Sequence, residues 1–463
     1  MSAATATTVE RLRAGFASGR TRPLDWRRAQ LRALAQMLRT HEAEFAGALA
    51  RDLGKPAPEA YATEIGFTLA EIRHALAQLR RWVRPRRVAM PLALQPASAR
   101  TTPQPQGVVL VMAPWNYPLQ LLLVPLCGAL AAGNCVLLKP SELAPFTSAL
   151  LATLVPRYLD TEAVAVVEGG PRIASELLEQ RFDHYFFTGG ARVGRLVMEA
   201  AARVPAPATL ELGGKCPVIV HDGELRTIAR RIAFAKFTNA GQTCVAPDHV
   251  LVLREHAPEL ARQLRGAITE FFGADPARSP DYGKIVNDRH HQRLADALAE
   301  ALEGGATLLG GGRHEARHRY FEPTTLVDVP DDSTLAREEI FGPILPLVVV
   351  QDLDEALARA ARLEPPLAAY LFTGQAPVRT KVEAGLRVGA IAVNACAIHL
   401  AAPGLPFGGT GPSGLGRYHG RHSFEAFSQP RPVFHKPLWP DTLRMAYPPY
   451  GGWRGRVLRW LVR

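Results

Sequence analysis

The chain has 463 residues, 47% of them apolar and 21% charged, which at roughly 100–200 residues per domain suggests two to four domains with cores of their own. That balance excludes a mainly disordered or fibrous protein. Five scattered cysteines exclude a disulfide framework and point to a reducing compartment. Lys and Arg number 54 against 43 Asp and Glu, and the net charge of +11 prompts thoughts of nucleic acid or membrane. Lysine stands only at 55, 139, 215, 236, 284, 381 and 436, so the remaining 47 cations are arginines, spread along the chain. Where lysine persists in such a chain, a compact ammonium is expected to do what a planar guanidinium cannot.

In chain order, the N-terminal MSAATATTVERLRAGF lacks the apolar core and cleavage site of a signal peptide. Apolar residues at Leu31, Leu34, Leu38, Phe45, Leu49 and Leu53 predict one amphipathic helix, capped at Asp25 and stopped by Gly54. A second helix is predicted over 58–83. Residues 84–106, rich in Pro and Arg, suit an exposed hairpin or arm. Residues 118–138 approach the length of a membrane span, but Gln120, Pro125, Gly128, Gly133 and Asn134 interrupt them. A buried helix, a turn at Gly133-Asn134 and a short strand explain that run better, and no transmembrane helix is expected. Apolar runs at 108–113, 136–138, 163–167, 184–187, 218–220, 250–253, 345–350, 369–372 and 390–393 alternate with helical stretches. That alternation is the pattern of an α/β protein with a largely parallel sheet. Gly-rich turns over 404–416 follow, and no internal repeat is visible.

Several motifs carry chemistry. Gly189 and Gly194, between a strand and a helical stretch at 195–203, permit a tight turn and close approach of a phosphate to a helix N-terminus. The G-x4-G spacing is not the usual dinucleotide fingerprint, and a plain glycine turn explains it equally well. In Lys139-Pro140-Ser141-Glu142, Glu142 suits ribose hydroxyls and Lys139 an anion, though a surface turn reads the same way. Cys244 ends Asn239-Ala240-Gly241-Gln242-Thr243-Cys244 among polar and Gly neighbours, which suits a nucleophile at a cleft. Cys127, Cys135, Cys216 and Cys396 read as small buried hydrophobes. Glu211, before Gly213-Gly214, suits a movable general base, and Asn116 offers a side-chain amide to an oxyanion. Glu339 and Phe341 suit a ribose and a flat ring. Each motif alone has a bland explanation; all of them together in one chain do not. No metal-ligand spacing and no nucleic-acid recognition module appears, so neither a metal site nor a nucleic-acid partner is expected.

With these residues the chain resembles the NAD(P)-dependent aldehyde dehydrogenase superfamily. It looks most like the class 3 group of fatty, aromatic and coniferyl aldehyde dehydrogenases. The similarity runs from Ala48-Leu49-Ala50-Arg51-Asp52-Leu53-Gly54-Lys55 to the tail. Its markers are Phe182-Asp183-His184, Phe186-Phe187-Thr188-Gly189, Gly241 to Asp248, Leu405-Pro406-Phe407-Gly408-Gly409 and Gly416-Arg417-Tyr418-His419-Gly420. The resemblance implies an aldehyde dehydrogenase-like α/β fold. A Rossmann-type NAD(P)-binding domain would span 1–86 and 107–210, and an α/β catalytic domain 211–408. A small β oligomerisation arm would span 87–106 and 409–435, and a tail 436–463. It implies Cys244 as nucleophile, Asn116 and the Cys244 backbone N–H as oxyanion hole, and Glu211 as general base. It places Lys139 and Glu142 on the adenine ribose, Gly189 and Gly194 at the phosphate turn, and Glu339 and Phe341 on the nicotinamide ribose and ring.

The implied reaction oxidises a medium- or long-chain aliphatic or an aromatic aldehyde to the acid with NAD or NADP. It passes through a thiohemiacetal and a thioester, in a cytoplasmic homodimer without a metal. A CoA-acylating enzyme, or a basic membrane- or nucleic-acid-binding protein keeping the fold, are the rivals; Glu211 favours hydrolysis. Gly190, Cys216 and Ala395 depart from the family's usual Ser, Ser or Asn, and Asp. Residues 453–463 interleave Trp and Leu with Arg, which suits a short helix lying on an anionic membrane surface as well as one packed near the substrate entrance or against a dimer partner.

Overall fold

A computed structural model describes residues 3–461. The strands Val108–Met112, Cys135–Lys139 and His184–Thr188 are buried at every position, as parallel strands covered on both faces must be. They form the centre of a six-stranded sheet in the order 414–415, 208–211, 184–188, 108–112, 135–139, 164–166, parallel except for the short edge pair. The chain's first strand in this sheet, Val108–Met112, lies between later strands on either side. The crevice where ligands bind such sheets therefore opens at its carboxyl end, just before Asn116. Helix Gln120–Ala132 is buried along its whole length, so the span-like run is a core helix. Among the described residues no helix is long and apolar enough to cross a membrane.

A second sheet of seven strands runs 307–310, 324–327, 344–350, 249–253, 217–220, 368–372, 390–393, parallel except for the first pair. The third is an antiparallel ribbon of 86–88, 98–105 and 428–435, in register from Ser428 against Pro105 to His435 against Ser98. Its residues are mostly exposed or half-buried, as an arm's would be.

Several predicted elements differ in detail. The single helix expected from Asp25 to Leu53 is two, Leu24–Thr40 and Glu42–Leu53, and Pro23, not Asp25, precedes the first. The chain turns at His41, whose ring lies between Glu44 and the Tyr158 hydroxyl. Gly54 does end the second helix, with φ 63°. The helix expected over 58–83 starts at Ala57 and carries a π turn, Tyr61–Ile65, before continuing as Gly66–Trp82. The helical stretch expected at 195–203 begins earlier, at Ala191. Strands Ala208–Glu211, Thr307–Gly310 and Thr324–Val327 escaped the sequence reading, each being four residues long and mixing Thr or Glu into its apolar run.

Candidate active site

The helix Leu225–Phe237 runs into the turn Thr238–Gly241, where Asn239, Ala240 and Gly241 take φ of 53°, 50° and 76° in succession. Two consecutive left-handed residues other than glycine are costly and persist only where neighbours over-determine them. Here they do. Asn239 N donates to Glu59 Oε1 at 3.0 Å, its Nδ2 to the backbone oxygens of Asn116 at 2.8 Å and Gln242 at 3.2 Å. Gln242 Nε2 donates to Asn239 O and Lys284 O, and its Oε1 accepts from Val286 N. A Cβ on Gly241 would lie 2.3 Å from Gly342 O, which excludes other residues there.

This turn delivers Cys244. All five cysteines are free, and Cys244 alone is half-buried while the others are buried. Burial pushes its thiol up to about 12; the charges of Glu339 and Glu211 add to this, and the backbone N–H groups of Cys244 and Val245 oppose it. Asn116 is buried, donates from Nδ2 to Gln242 O at 3.0 Å, and leaves Oδ1 without a partner. An amide nitrogen carries two donors, so one remains beside the thiol loop. A second tie joins the same segments, since Tyr117 Oη and Thr243 Oγ1 lie 2.6 Å apart. Cys216 is buried, with its thiol 3.4 Å from Cys244 O.

Glu211 ends the strand Ala208–Glu211. Both of its oxygens are buried without a hydrogen-bond partner, and burial pushes the carboxyl well above the usual range, with Arg417 opposing. An orphaned carboxyl is rare in a folded interior and marks a candidate proton acceptor. Glu339 is raised to about 8, by burial first and then by Asp248. Its carboxylate fills the space over Gly213, where a Cβ would lie 2.1 Å from Oε2. Phe341 meets Trp115 edge-on at 5.4 Å. The stretch before it is pinned from below: Lys215 Nζ donates to Asp248 Oδ1 at 2.5 Å, Glu338 O at 2.7 Å and Leu335 O at 2.9 Å. Asp248 Oδ2 accepts from Ile340 N at 2.9 Å. A hydrogen bond thus ties Asn116 to the loop that carries Cys244, and the charges of Glu339 and Glu211 act on its thiol.

Lys139 and Glu142 stand apart from that group, at the carboxyl end of the strand Cys135–Lys139, paired at 3.0 Å with Glu142 exposed. Gly189 joins the strand His184–Thr188 to the helix Ala191–Arg203; a Cβ on it would lie 2.6 Å from the Phe187 ring. The helix N-terminus has no side-chain cap and no acidic residue in its first turn, and the space around Gly190 is open. An uncapped, acid-free helix end beside a side-chain-free turn fits an anionic pyrophosphate. Gly194 lies buried in the helix, where a Cβ would lie 3.0 Å from Leu212, so its smallness lets helix and strand pack closely. Among the described residues, no three His, Cys, Asp or Glu gather as a metal site would require.

Sequence reasoning missed the supports beneath the site: Glu59, Glu64, Asn239, Gln242 and the Tyr117–Thr243 tie. The one signal available was the scarcity of lysine, which marks Lys55 and Lys215.

The aldehyde dehydrogenase family model matches residues 2–433. Aldehyde dehydrogenase family 3 member B1 of Rattus norvegicus is 46% identical over 452 residues, covering 97% of this chain and 96% of its own. A substrate-bound Staphylococcus aureus AldH superposes with a TM-score of 0.96 at 40% identity, over 99% of both chains. An indole-3-acetaldehyde dehydrogenase complexed with NAD+ gives 0.84 at 27% identity, over 94% of this chain and 89% of its own. The chain belongs to the aldehyde dehydrogenase family, NAD(P)-dependent oxidoreductases that act on aldehydes.

Proposed function

We propose that this chain oxidises an aliphatic or aromatic aldehyde to its carboxylic acid with NAD or NADP, using Cys244 as nucleophile, Asn116 and the Cys244 N–H as oxyanion donors, and Glu211 as general base. The observation that carries this is a half-buried thiol on a strained loop, tied to a side-chain amide and flanked by an unpartnered buried carboxyl. Cys244 Sγ, its thiol proton passed through Glu211 to solvent, adds to the aldehyde carbon, and the oxygen that gains charge is met by the Asn116 Nδ2 and Cys244 N donors. The bound nicotinamide supplies the hydride acceptor. Glu211 then takes a proton from the water that attacks the thioester, and the Cys244 thiol is released with the acid. Burial raises the basicity of Glu211 toward that of the groups it must deprotonate, which a solvated carboxylate lacks.

Lys139 and Glu142 would hold the adenine ribose, Gly189 and the Ala191 helix end the pyrophosphate, with Gly194 packing behind them. Glu339 would hold the nicotinamide ribose, and Phe341 would support the ring. The division into 1–86 with 107–210, 211–408 and an arm of 87–106 with 409–435 is part of the same reading, supported by the separate six-stranded, seven-stranded and ribbon sheets, although the strand 414–415 pairs with 208–211 in the six-stranded sheet and not in the ribbon. An aldehyde panel assayed with each nucleotide should give reduced cofactor and free acid, with or without CoA. Cys244→Ala should lose at least about a thousandfold in turnover. Full turnover by that variant overturns the reading, and an acyl-CoA product moves it to the acylating rival.

A homodimer through the ribbon sheet is part of the same reading, supported by the exposed Val88 and Phe434 on its strands; light scattering of the purified protein tests it. Positive charge also has a place. Residues 84–106 hold four Arg and no acid, and 428–463 hold six Arg and Lys436 against Asp441 alone, so these segments carry +10 of the net +11. With Leu438 95% and Trp439 86% exposed beside them, this end suits contact with an anionic membrane surface. Salt-sensitive co-sedimentation with anionic vesicles is expected of the full chain, and equal binding by residues 1–446 would remove the tail from that role.

A further inference from the structure

Beneath Asn116 lies a buried charge pair that the chemistry above does not use. Lys55 follows Gly54 at the end of the helix Glu42–Leu53, and neither its side chain nor that of Glu64 reaches water. Lys55 Nζ donates to Glu64 Oε1 at 2.5 Å and to the backbone oxygen of Asn116 at 3.2 Å, and stands 4.1 Å from the centre of the Tyr117 ring. Those contacts occupy the three directions in which an ammonium donates. Glu64 Oε2 in turn accepts from Leu119 N at 2.9 Å and Gln120 N at 3.3 Å, at the start of the helix Gln120–Ala132. Glu64 sits within the π turn Tyr61–Ile65, an insertion of the kind that recurs at functional sites.

The pair therefore grips the chain on both sides of Asn116 and Tyr117. The same Asn116 oxygen accepts from Asn239 Nδ2, so the amide donor and the thiol loop hang from one point. A buried ion pair is expensive, and apolar side chains of similar volume often serve stability as well or better. Its presence here calls for a geometric reason. We propose that Lys55 and Glu64 are positioning residues of the reaction: their pair clamps the Asn116 backbone so that its side-chain amide stays where the oxyanion forms. This rests on Asn116 being an oxyanion donor, as proposed above.

The test is a double-mutant cycle on full-length protein, reading kcat and KM with an aldehyde and NAD. Glu64→Gln removes the charge, and the paired Lys55→Met/Glu64→Met replaces both partners with apolar side chains that a dry site accepts. Each should lower kcat about tenfold or more, as small misplacements of catalytic groups do, with KM moving less than about threefold. In an Asn116→Ala background neither should cost more than about twofold. Alkylation of Cys244 by iodoacetamide, which builds no oxyanion, should stay within about twofold of wild type. Full kcat in the soluble paired variant overturns the proposal, and so does an undiminished cost in the Asn116→Ala background. Full turnover by Asn116→Ala alone overturns the oxyanion reading and this inference with it. Failure of both variants to give soluble protein assigns the pair to folding and also overturns it.

Discussion

Cations serve this protein in two opposite ways, in the dry ground under the candidate active site and at the wet end formed by the arm and tail. Four of the seven lysines are buried, Lys55, Lys139, Lys215 and Lys236, whereas Arg27 is the only buried arginine among the described residues. An ammonium brings three donors on a slender stem, and around Lys215 three acceptors are found for them. A guanidinium brings five donors in a rigid plane and would leave some unmet in the same space. At the arm and tail, Arg86, Arg87, Arg431, Arg444, Arg456 and Arg459 are exposed, where desolvation costs nothing. Charge there acts at a distance and fades with salt. A cation near the thiol is thus a piece of geometry; one on the arm or tail is a piece of field.

Removing an interior partner breaks this contrast most directly. Burial works to raise the Asp248 carboxyl, but Lys215, with help from His249 and Lys236, holds it well below its usual range. Lys215→Met strands that charge and is expected to cost about 3–5 kcal/mol in urea unfolding, with loss of turnover as the 335–341 stretch is released. Lys215→Arg should not rescue it. Arg456→Gln should change stability by less than about 0.5 kcal/mol. Similar losses from Lys215→Met and Arg456→Gln would sink the distinction between geometry and field.

The field has its own measurement. With membrane attraction worth about 1 kcal/mol per cation near an anionic surface, Arg456→Gln/Arg459→Gln should weaken vesicle binding roughly thirtyfold. The loss should shrink as salt rises, and turnover should stay unchanged. Binding that persists at high salt and in the double variant would assign the contact to Trp439 and Leu438 instead.

The sequence made the chemistry of the interior legible and its supports illegible, for a physical reason. Asn239 to Cys244, Phe186 to Gly194 and Glu338 to Pro343 are contiguous, so residue types betray them before any folding. Lys215 and Asp248 are 33 positions apart, and the Lys55–Glu64 pair depends on a π turn that no 3.6-residue periodicity announces. The break at His41 is equally hidden, because both flanking helices keep the same apolar spacing. At the other end the reverse holds: the charge of the arm and tail was countable from the sequence, yet arginine's abundance everywhere masked its balance by acids elsewhere. Lysine scarcity carried information because a rare residue in a biased chain is rare for a reason.

A smaller effect tests how the interior tolerates charge. Glu339 titrates near 8 in the folded protein against 4.5 for an ordinary Glu, because burial and Asp248 disfavour its anion. Between those values the unfolded chain has released a proton that the native protein keeps, so this group lowers stability as pH climbs from about 4.5 to 8. Glu339→Gln should match wild type near pH 4 and exceed its Tm by about 1–3 °C at pH 9. A Tm difference that is constant across that range would mean the carboxyl is not held neutral by its surroundings.

The smallest effect concerns a place where neither lysine nor arginine is needed. Gly190 stands at the start of the helix Ala191–Arg203 with φ −76° and ψ 148°, an ordinary extended conformation, and a Cβ there meets nothing within 4 Å. Gly190→Ser would therefore fit without strain and let its hydroxyl accept from a first-turn N–H, raising stability by a few tenths of a kcal/mol. If the backbone amides and the helix dipole do the anion binding, the nucleotide KM should move by less than about threefold in either direction. A tenfold rise would mean that the capping hydroxyl has taken donors the phosphate requires. A tenfold fall would mean that the hydroxyl itself donates to the phosphate and that glycine at 190 weakens cofactor binding. Either would extend the lesson of the buried lysines: in this interior, the number of donors left free matters more than the sum of charge.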